Sequence, residues 1–119
     1  MNVAVLGASR KPERYSYRAV KALLKNGHAP FPVHPGIEDI DGLPVFRRLD
    51  EVPAAIDTIT VYVSARRSDG MADSIVESGA RRVIFNPGAE NPELALRLAA
   101  QGVDVVEACT LVLLATGQF

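Results

Sequence analysis

The sequence predicts an α/β fold, a doubly wound five-stranded parallel sheet between two layers of helices, three layers (αβα) in a single domain. Three observations carry this expectation. Five short runs rich in valine and isoleucine alternate along the chain with stretches whose apolar residues recur at helical spacing. Short connections and right-handed crossovers turn such an alternation into a parallel sheet covered on both faces. At 119 residues, 48% of them hydrophobic, the chain can bury one proper core and is too short for two domains.

The first strand is Asn2 to Leu6, an apolar and β-branched run ending at Gly7 and suited to burial on both faces. A loop leads to a helix from Tyr17 to Lys25, where Ala19, Val20, Leu23 and Leu24 share a face, Ser16 is the expected N-cap and Asn26-Gly27 the stop. Residues 28 to 34 read as the second strand, although Pro30 and Pro32 each remove a ladder donor. Pro35-Gly36 breaks the chain, and Glu38 to Glu51 is polar and turn-rich around Leu43-Pro44-Val45-Phe46, a surface excursion. Asp57 to Val63 is the strongest β-branched run and gives the third strand. A helical stretch follows Ser64, with Met71, Ala72, Ile75 and Val76 on one face before Gly79. Arg82 to Phe85 gives the fourth strand and Asn86-Pro87-Gly88 a turn. Asn91, Pro92 and Glu93 supply the N-cap, first-position proline and first-turn acid of a helix through Ala100. Val103 to Val106 is the fifth strand, and Ala108 to Ala115 suits a final helix against the sheet.

This arrangement is Rossmann-like, and in such sheets ligands bind beyond the carboxyl ends of the strands. The candidate site is therefore built by the loops beginning at Gly7, His34, Ser64 and Asn86. In the first of these, Gly7-Ala8-Ser9 is a small-residue turn whose backbone N–H groups and following helix dipole favour an anion. Arg10, Lys11 and Arg14 follow at once, so cationic side chains converge where the backbone already favours negative charge. A phosphate group is the natural guest. Charge along the chain agrees: the first 26 residues hold six basic side chains against one acid, while the rest hold seven against thirteen. The nicotinamide dinucleotide fingerprint needs Gly-x-Gly-x-x-Gly, and Ser9 and Pro12 occupy its second and third glycine positions. The acid expected after strand two to hold a ribose hydroxyl is replaced by His34-Pro35. NAD is disfavoured; a phosphorylated ribose is not.

Other classes fall away on composition. A net charge of −1 with three tyrosines, four phenylalanines and no tryptophan does not suit a nucleic-acid binder, which carries a basic face with stacking aromatics. No apolar window approaches the ~18 residues of a membrane span, and Met1 to Leu6 lacks the pattern of a signal peptide, so a cytoplasmic protein with no membrane contact is expected. The single cysteine, Cys109, can form neither an internal disulfide nor a zinc cluster.

Taken together, Val5-Leu6-Gly7-Ala8-Ser9, Pro12-Glu13-Arg14-Tyr15-Ser16-Tyr17-Arg18, Pro32-Val33-His34-Pro35, Ile56-Asp57-Thr58-Ile59, Asn86-Pro87-Gly88 and Val105-Val106-Glu107-Ala108-Cys109 resemble the small CoA-binding domain proteins, a family similar to the N-terminal CoA-binding domain of the succinyl-CoA synthetase alpha subunit. The resemblance covers the whole chain. It implies coenzyme A or a short acyl-CoA as ligand, with Gly7, Ala8, Ser9, Arg10, Lys11, Arg14 and Ser16 around the CoA phosphates. It further implies that His34, Pro35, Val63, Ser64, Asn86, Pro87 and Gly88 line the nucleotide and pantetheine path. Two departures stand out: His34 takes a position where relatives commonly have asparagine, and Asn86-Pro87-Gly88 replaces a Gln-Leu-Gly type sequence. Synthetases of the related kind need further domains for a phosphohistidine and nucleotide grasp, for which 119 residues leave no room.

The remaining candidates have plainer readings. Lys21 and Lys25 continue the stripe of Arg14 and Arg18 but fall opposite Val20 and Leu23, where an amphipathic helix is solvated. His34 has no evident nucleophile beside it, His28 suits the surface or a helix C-terminus, and Cys109 has no adjacent cation to activate a thiol. Ser9 and Ser64 lack a base and its orienter. The expectation is a stand-alone binding module without catalysis. The alternative is a small NADP-dependent or other nucleotide-dependent enzyme subunit completed by a partner chain. Leu111 to Leu114 suits core, or an interface with a protein partner or a second copy.

Overall fold

The computed structural model describes residues 1–119. Strands β1 (Asn2–Leu6), β2 (Ala29–Val33), β5 (Thr58–Val61), β6 (Arg82–Phe85) and β7 (Asp104–Glu107) form one sheet in the order β2-β1-β5-β6-β7. Every pairing in it is parallel. The chain moves outward from β1 to β2, then crosses to the other side of β1, so the sheet reverses direction between β1 and β5. Helices α1 (Tyr15–Lys25) and α5 (Thr110–Ala115) cover one face, where Val20, Leu23 and Leu114 pack on Val3 and Val5. Helices α3 (Ala72–Glu77) and α4 (Pro92–Ala100) cover the other, where Ile75, Leu94 and Leu98 meet Leu6, Ile59, Val61, Val83 and Phe85. Alternate residues of each strand thus feed two cores, each buried side chain contributing ~1.5–3 kcal/mol. This is the expected doubly wound, three-layer Rossmann-like arrangement. Leu114 belongs to the core, whereas Val112 in the same apolar tail is exposed.

The two prolines of β2 are accommodated by its position at the sheet edge. Ala29 N–H donates to Met1 O on the β1 side, while Pro32 O accepts from Phe46 N–H on the outer side. Alternation places Pro30 and Pro32 together on that outer side, where the β1 ladder asks for no donor.

Four local expectations are corrected. Helix α1 begins at Tyr15 with Arg14 in the N-cap position, because Arg14 is the last residue with extended backbone (φ −78°, ψ 142°); Ser16 is a buried residue inside the first turn. The helical stretch after β5 is two pieces, α2 (Ala65–Asp69) and α3, separated at Gly70-Met71. Asn91 stabilises that break, its amide donating to Ser68 Oγ at 2.8 Å and Asp69 Oδ1 at 2.9 Å while its own oxygen accepts from Leu94 N–H at 3.1 Å. The fifth strand is shifted one residue, to Asp104–Glu107.

The fourth concerns the excursion from Glu38 to Glu51, which is not merely surface. It folds into an antiparallel ribbon, β3 (Asp39–Ile40) with β4 (Leu43–Pro44), and a 3₁₀ turn at Leu49–Glu51. Asp41 and Gly42 both have positive φ, 49° and 88°, the two-residue Asp-Gly hairpin turn. Ile40, Val45 and Leu49 are buried. The ribbon is tied to α1 by Asp41, which accepts from the Tyr17 hydroxyl and pairs with Lys21 Nζ at 3.0 Å. That Tyr17–Asp41–Lys21 cluster holds the Asp41 carboxyl below its usual range, chiefly through the tyrosine hydrogen bond.

Candidate ligand-binding site

The loops after β1, β2 and β5 meet at the point where the sheet reverses direction. Gly7, with φ +83°, is what lets them meet: a Cβ there would stand 2.8 Å from Val63 Cγ1 and 3.2 Å from the Tyr62 carbonyl carbon. Any other residue would push the first loop away from the end of β5 or adopt a strained left-handed backbone. The N–H groups of Gly7 and Ala8 both point to Val33 O, at 3.1 and 3.3 Å. They therefore bind the neighbouring strand, and the expectation that they face an anion is corrected.

The donors left open lie farther along. Ser9 and Arg10 N–H have no protein partner, and neither do the first three N–H groups of α1, at Tyr15, Ser16 and Tyr17. Helix α1 has no side-chain cap and no acid in its first turn, so its N-terminus keeps its partial positive charge uncompensated. Ser9 Oγ shapes the loop by accepting from Lys11 N–H at 3.1 Å.

A cleft of about 580 Å³ opens over these donors, lined by Gly7, Ala8, Ser9, Arg10, Lys11, Arg14 and Ser16 from the first loop and helix. His34, Tyr62, Val63, Arg67 and Pro87 close its other sides. A second chamber of about 410 Å³ adjoins it and shares Gly7, His34, Val63 and Arg67; Pro35, Leu49, Met71 and the arginines Arg47 and Arg48 complete its wall. No carboxylate lines either space.

His34 stands between the two. Its Nδ1 accepts from Gly36 N–H at 2.9 Å, so the neutral ring carries its proton on Nε2. Burial, and next the charge of Arg67, holds its pKa below the usual histidine value. Tyr62 is pushed up to about 12, first by burial and then by Cys109. Its hydroxyl is buried without a partner beside Thr60 and Thr110, whose own hydroxyls bond each other at 2.7 Å.

Three of the expected site residues are placed elsewhere. Asn86 is turned into the protein: its amide donates to Thr60 Oγ1 at 2.7 Å and Val61 O at 2.9 Å, and its oxygen accepts from Thr110 N–H at 2.8 Å. Ser64 precedes α2 outside both cavities, and Gly88 is exposed with its N–H on Glu90 Oε1. Cys109 occupies the N-cap position of α5, partly buried. Conversely, Arg47, Arg67, Tyr62 and Met71 line the cavities without having been anticipated. Arg67 carried a legible signal, since it falls in the first turn after the third strand, at the carboxyl edge. Arg47 carried none, because only the folding of the excursion brings it to the site.

A parallel αβα sheet with an uncapped helix N-terminus and four cations around one carboxyl-edge cleft defines a Rossmann-like domain whose cleft is electrostatically suited to an anion. More particularly, the chain belongs to the CoA binding domain family, which matches residues 1–115. It is similar to the uncharacterized protein YneT of Bacillus subtilis (strain 168), 29% identical over 104 residues that make up 87% of this chain and 77% of that protein. A crystal structure of an uncharacterized protein superposes with a TM-score of 0.93 at 34% identity, covering 99% of this chain and 97% of the other. The apo form of dinucleotide forming acetyl-coenzyme A synthetase 1 from Ca. Korarchaeum cryptofilum shares the fold, with a TM-score of 0.77 at 21% identity over 90% of this chain and 26% of that one.

Proposed function

We propose that the protein is a stand-alone binder of CoA or a short acyl-CoA that performs no chemistry on it. The observation that carries this reading is the coincidence of the open N-terminus of α1 with Arg10, Lys11 and Arg14 at one cleft. A diphosphate there meets fixed N–H donors and mobile cations together. Family membership supports CoA as the bearer of that diphosphate. The binding-only reading is supported by the polar groups nearby: His34 Nδ1 and Ser9 Oγ are both engaged with backbone N–H groups, and no nucleophile and base are paired at the cleft. A cytoplasmic location is part of the same proposal; no helix is long and apolar enough to cross a membrane.

Calorimetric titration with CoA, NAD and NADP at one ionic strength tests it. Micromolar CoA binding with neither dinucleotide bound is the expected result. Binding of NADP in preference to CoA would instead favour a nucleotide-dependent enzyme subunit completed by a partner.

A further inference from the structure

The carboxyl end of the sheet is divided by charge. Over β1 it carries Arg10, Lys11 and Arg14, all exposed and in no ion pair, with Glu13 the one acid of that loop. Over β6 and β7 it carries Glu90, Glu93 and Glu107, also exposed and in no ion pair. No lysine or arginine occurs in residues 86–96 or 105–119, so nothing nearby in the chain offsets these carboxylates. The strand order β2-β1-β5-β6-β7 sets the two groups on either side of β5, two to three strand spacings or ~10–15 Å apart. Each group also has an exposed apolar neighbour. Tyr15, 64% exposed, follows Arg14, and Leu96, 75% exposed, lies one helical turn after Glu93.

We propose that this end of the molecule is an interface for a second copy of the chain, packed carboxyl end to carboxyl end about a two-fold axis. An axis lying in that surface, at right angles to the line joining the two groups, exchanges them. Arg10, Lys11 and Arg14 of each copy then face Glu90, Glu93 and Glu107 of the other, and the contact closes as a dimer. Charge complementarity selects a second copy over an unrelated partner: a wholly acidic or wholly basic surface would satisfy one group and repel the other. Tyr15 and the arginines are residue types enriched in protein interfaces. With exposed charges supplying most of the attraction, the dimer is weak and salt-sensitive. Such a contact needs no ligand and holds whatever the cleft binds. An anion in the cleft nevertheless draws on the same Arg10, Lys11 and Arg14, so ligand and second copy compete.

Sedimentation velocity on the full chain at high micromolar concentration tests this. The wild type should dimerise at ~0.01 M ionic strength and lose roughly tenfold or more in association constant towards ~1 M, as the Debye length shrinks from ~30 to ~3 Å. Arg10→Glu with Arg14→Glu, and Glu90→Lys with Glu107→Lys, should each be monomeric alone, because like charges then meet in both contacts. Mixed in equal amounts, the two variants should form a heterodimer, because both contacts become complementary. Pyrophosphate added at constant ionic strength should shift the wild type towards monomer. A wild type monomeric at low salt, a dimer indifferent to salt, or charge-reversed variants that fold by circular dichroism yet fail to pair when mixed overturns the proposal. Assemblies that keep growing with concentration overturn the closed two-fold geometry, and a dimer unmoved by pyrophosphate overturns the competition. Should either variant fail to fold, the wild-type salt series still decides.

Discussion

Replacing Arg10 and Arg14 together with alanine should weaken CoA binding by about 1.5–3 kcal/mol and leave the fold unchanged. Both side chains are exposed and make no ion pair, so their loss removes no stabilising contact within the protein. One hydrogen bond from a charged group contributes ~1.5–3 kcal/mol, and two exposed ones together should not exceed that range once solvent screening is counted. The corresponding loss in affinity is roughly ten- to a hundredfold. Binding should not vanish, because the N–H groups of Ser9, Arg10, Tyr15, Ser16 and Tyr17 are backbone donors that survive the substitutions. Salt gives a second reading: with a Debye length of ~8 Å at 0.15 M, the side-chain contribution is screened more than the close backbone donors, so the double variant's affinity should depend less on ionic strength. Calorimetry at two salt concentrations measures both quantities. A folded double variant that binds CoA within twofold of the wild type, with the same salt slope, would remove this loop from the site and refute the reasoning.

Asn86→Ala should destabilise the protein by ~2–5 kcal/mol in denaturant unfolding, since it deletes three buried hydrogen bonds and strands the Thr110 N–H; a loss under ~1 kcal/mol would show that Asn86 is not the pin between β5, β6 and α5. Gly7→Val should lower stability and CoA affinity together, because its first carbon already falls 2.8 Å from Val63 Cγ1; wild-type affinity in the variant would mean that the close approach of the loops is dispensable. Cys109→Ser should leave CoA affinity nearly unchanged if the thiol only packs, and a large loss without unfolding would contradict that. For His34, burial lowers the folded pKa beneath the unfolded value of ~6.5. The unfolded state then binds more protons in that window, so stability should fall as pH drops through about 6.5 towards the lowered value. His34→Gln should flatten this slope between pH 7 and 5.5; identical slopes would assign it elsewhere, to His28 first, whose pKa is also lowered by burial.

The elements readable from the sequence are those whose burial is dictated locally. Asn2 to Leu6 and Arg82 to Phe85 are apolar runs bounded by turn residues, and each is a strand over those same residues. Asn91-Pro92-Glu93 caps α4 as its residue types require. Where the outcome depends on tertiary partners the local pattern misleads. Ser16 has the chemistry of a cap, but the extended backbone ends at Arg14. Asp41-Gly42 is a hairpin signal within a polar stretch, and its weight becomes visible only when Ile40 and Val45 bury their side chains against α1 and β1.

The same distinction governs the site. That the first loop would be cationic and close to a helix N-terminus was legible, because Gly7 to Arg14 are contiguous and α1 follows them. Which backbone donors are open was not, because Val33 O belongs to a strand 26 residues away in sequence and takes the two N–H groups nearest the glycine. The effect is to move the anion cradle outward from Gly7-Ala8 to Ser9, Arg10 and the first turn of α1, nearer the arginine and lysine heads. Gly7 then acts by proximity instead of by donation: it lets β1 run hard against Val63 and so closes the floor that the larger cleft and the chamber share. A binding site of this kind is a property of the strand ends as a group: Arg47 reaches it because Phe46 beside it donates to Pro32 O and accepts from His34 N–H, both at 2.9 Å, while the ribbon β3–β4 is fastened to α1 through Asp41. Loosening that fastening by Asp41→Ala should therefore free the tip of the ribbon while Arg47 keeps its place through Phe46, so amide exchange should quicken at Ile40 and leave that of Phe46 and β1 unchanged, and equal quickening at Phe46 would show that Asp41 holds the whole excursion.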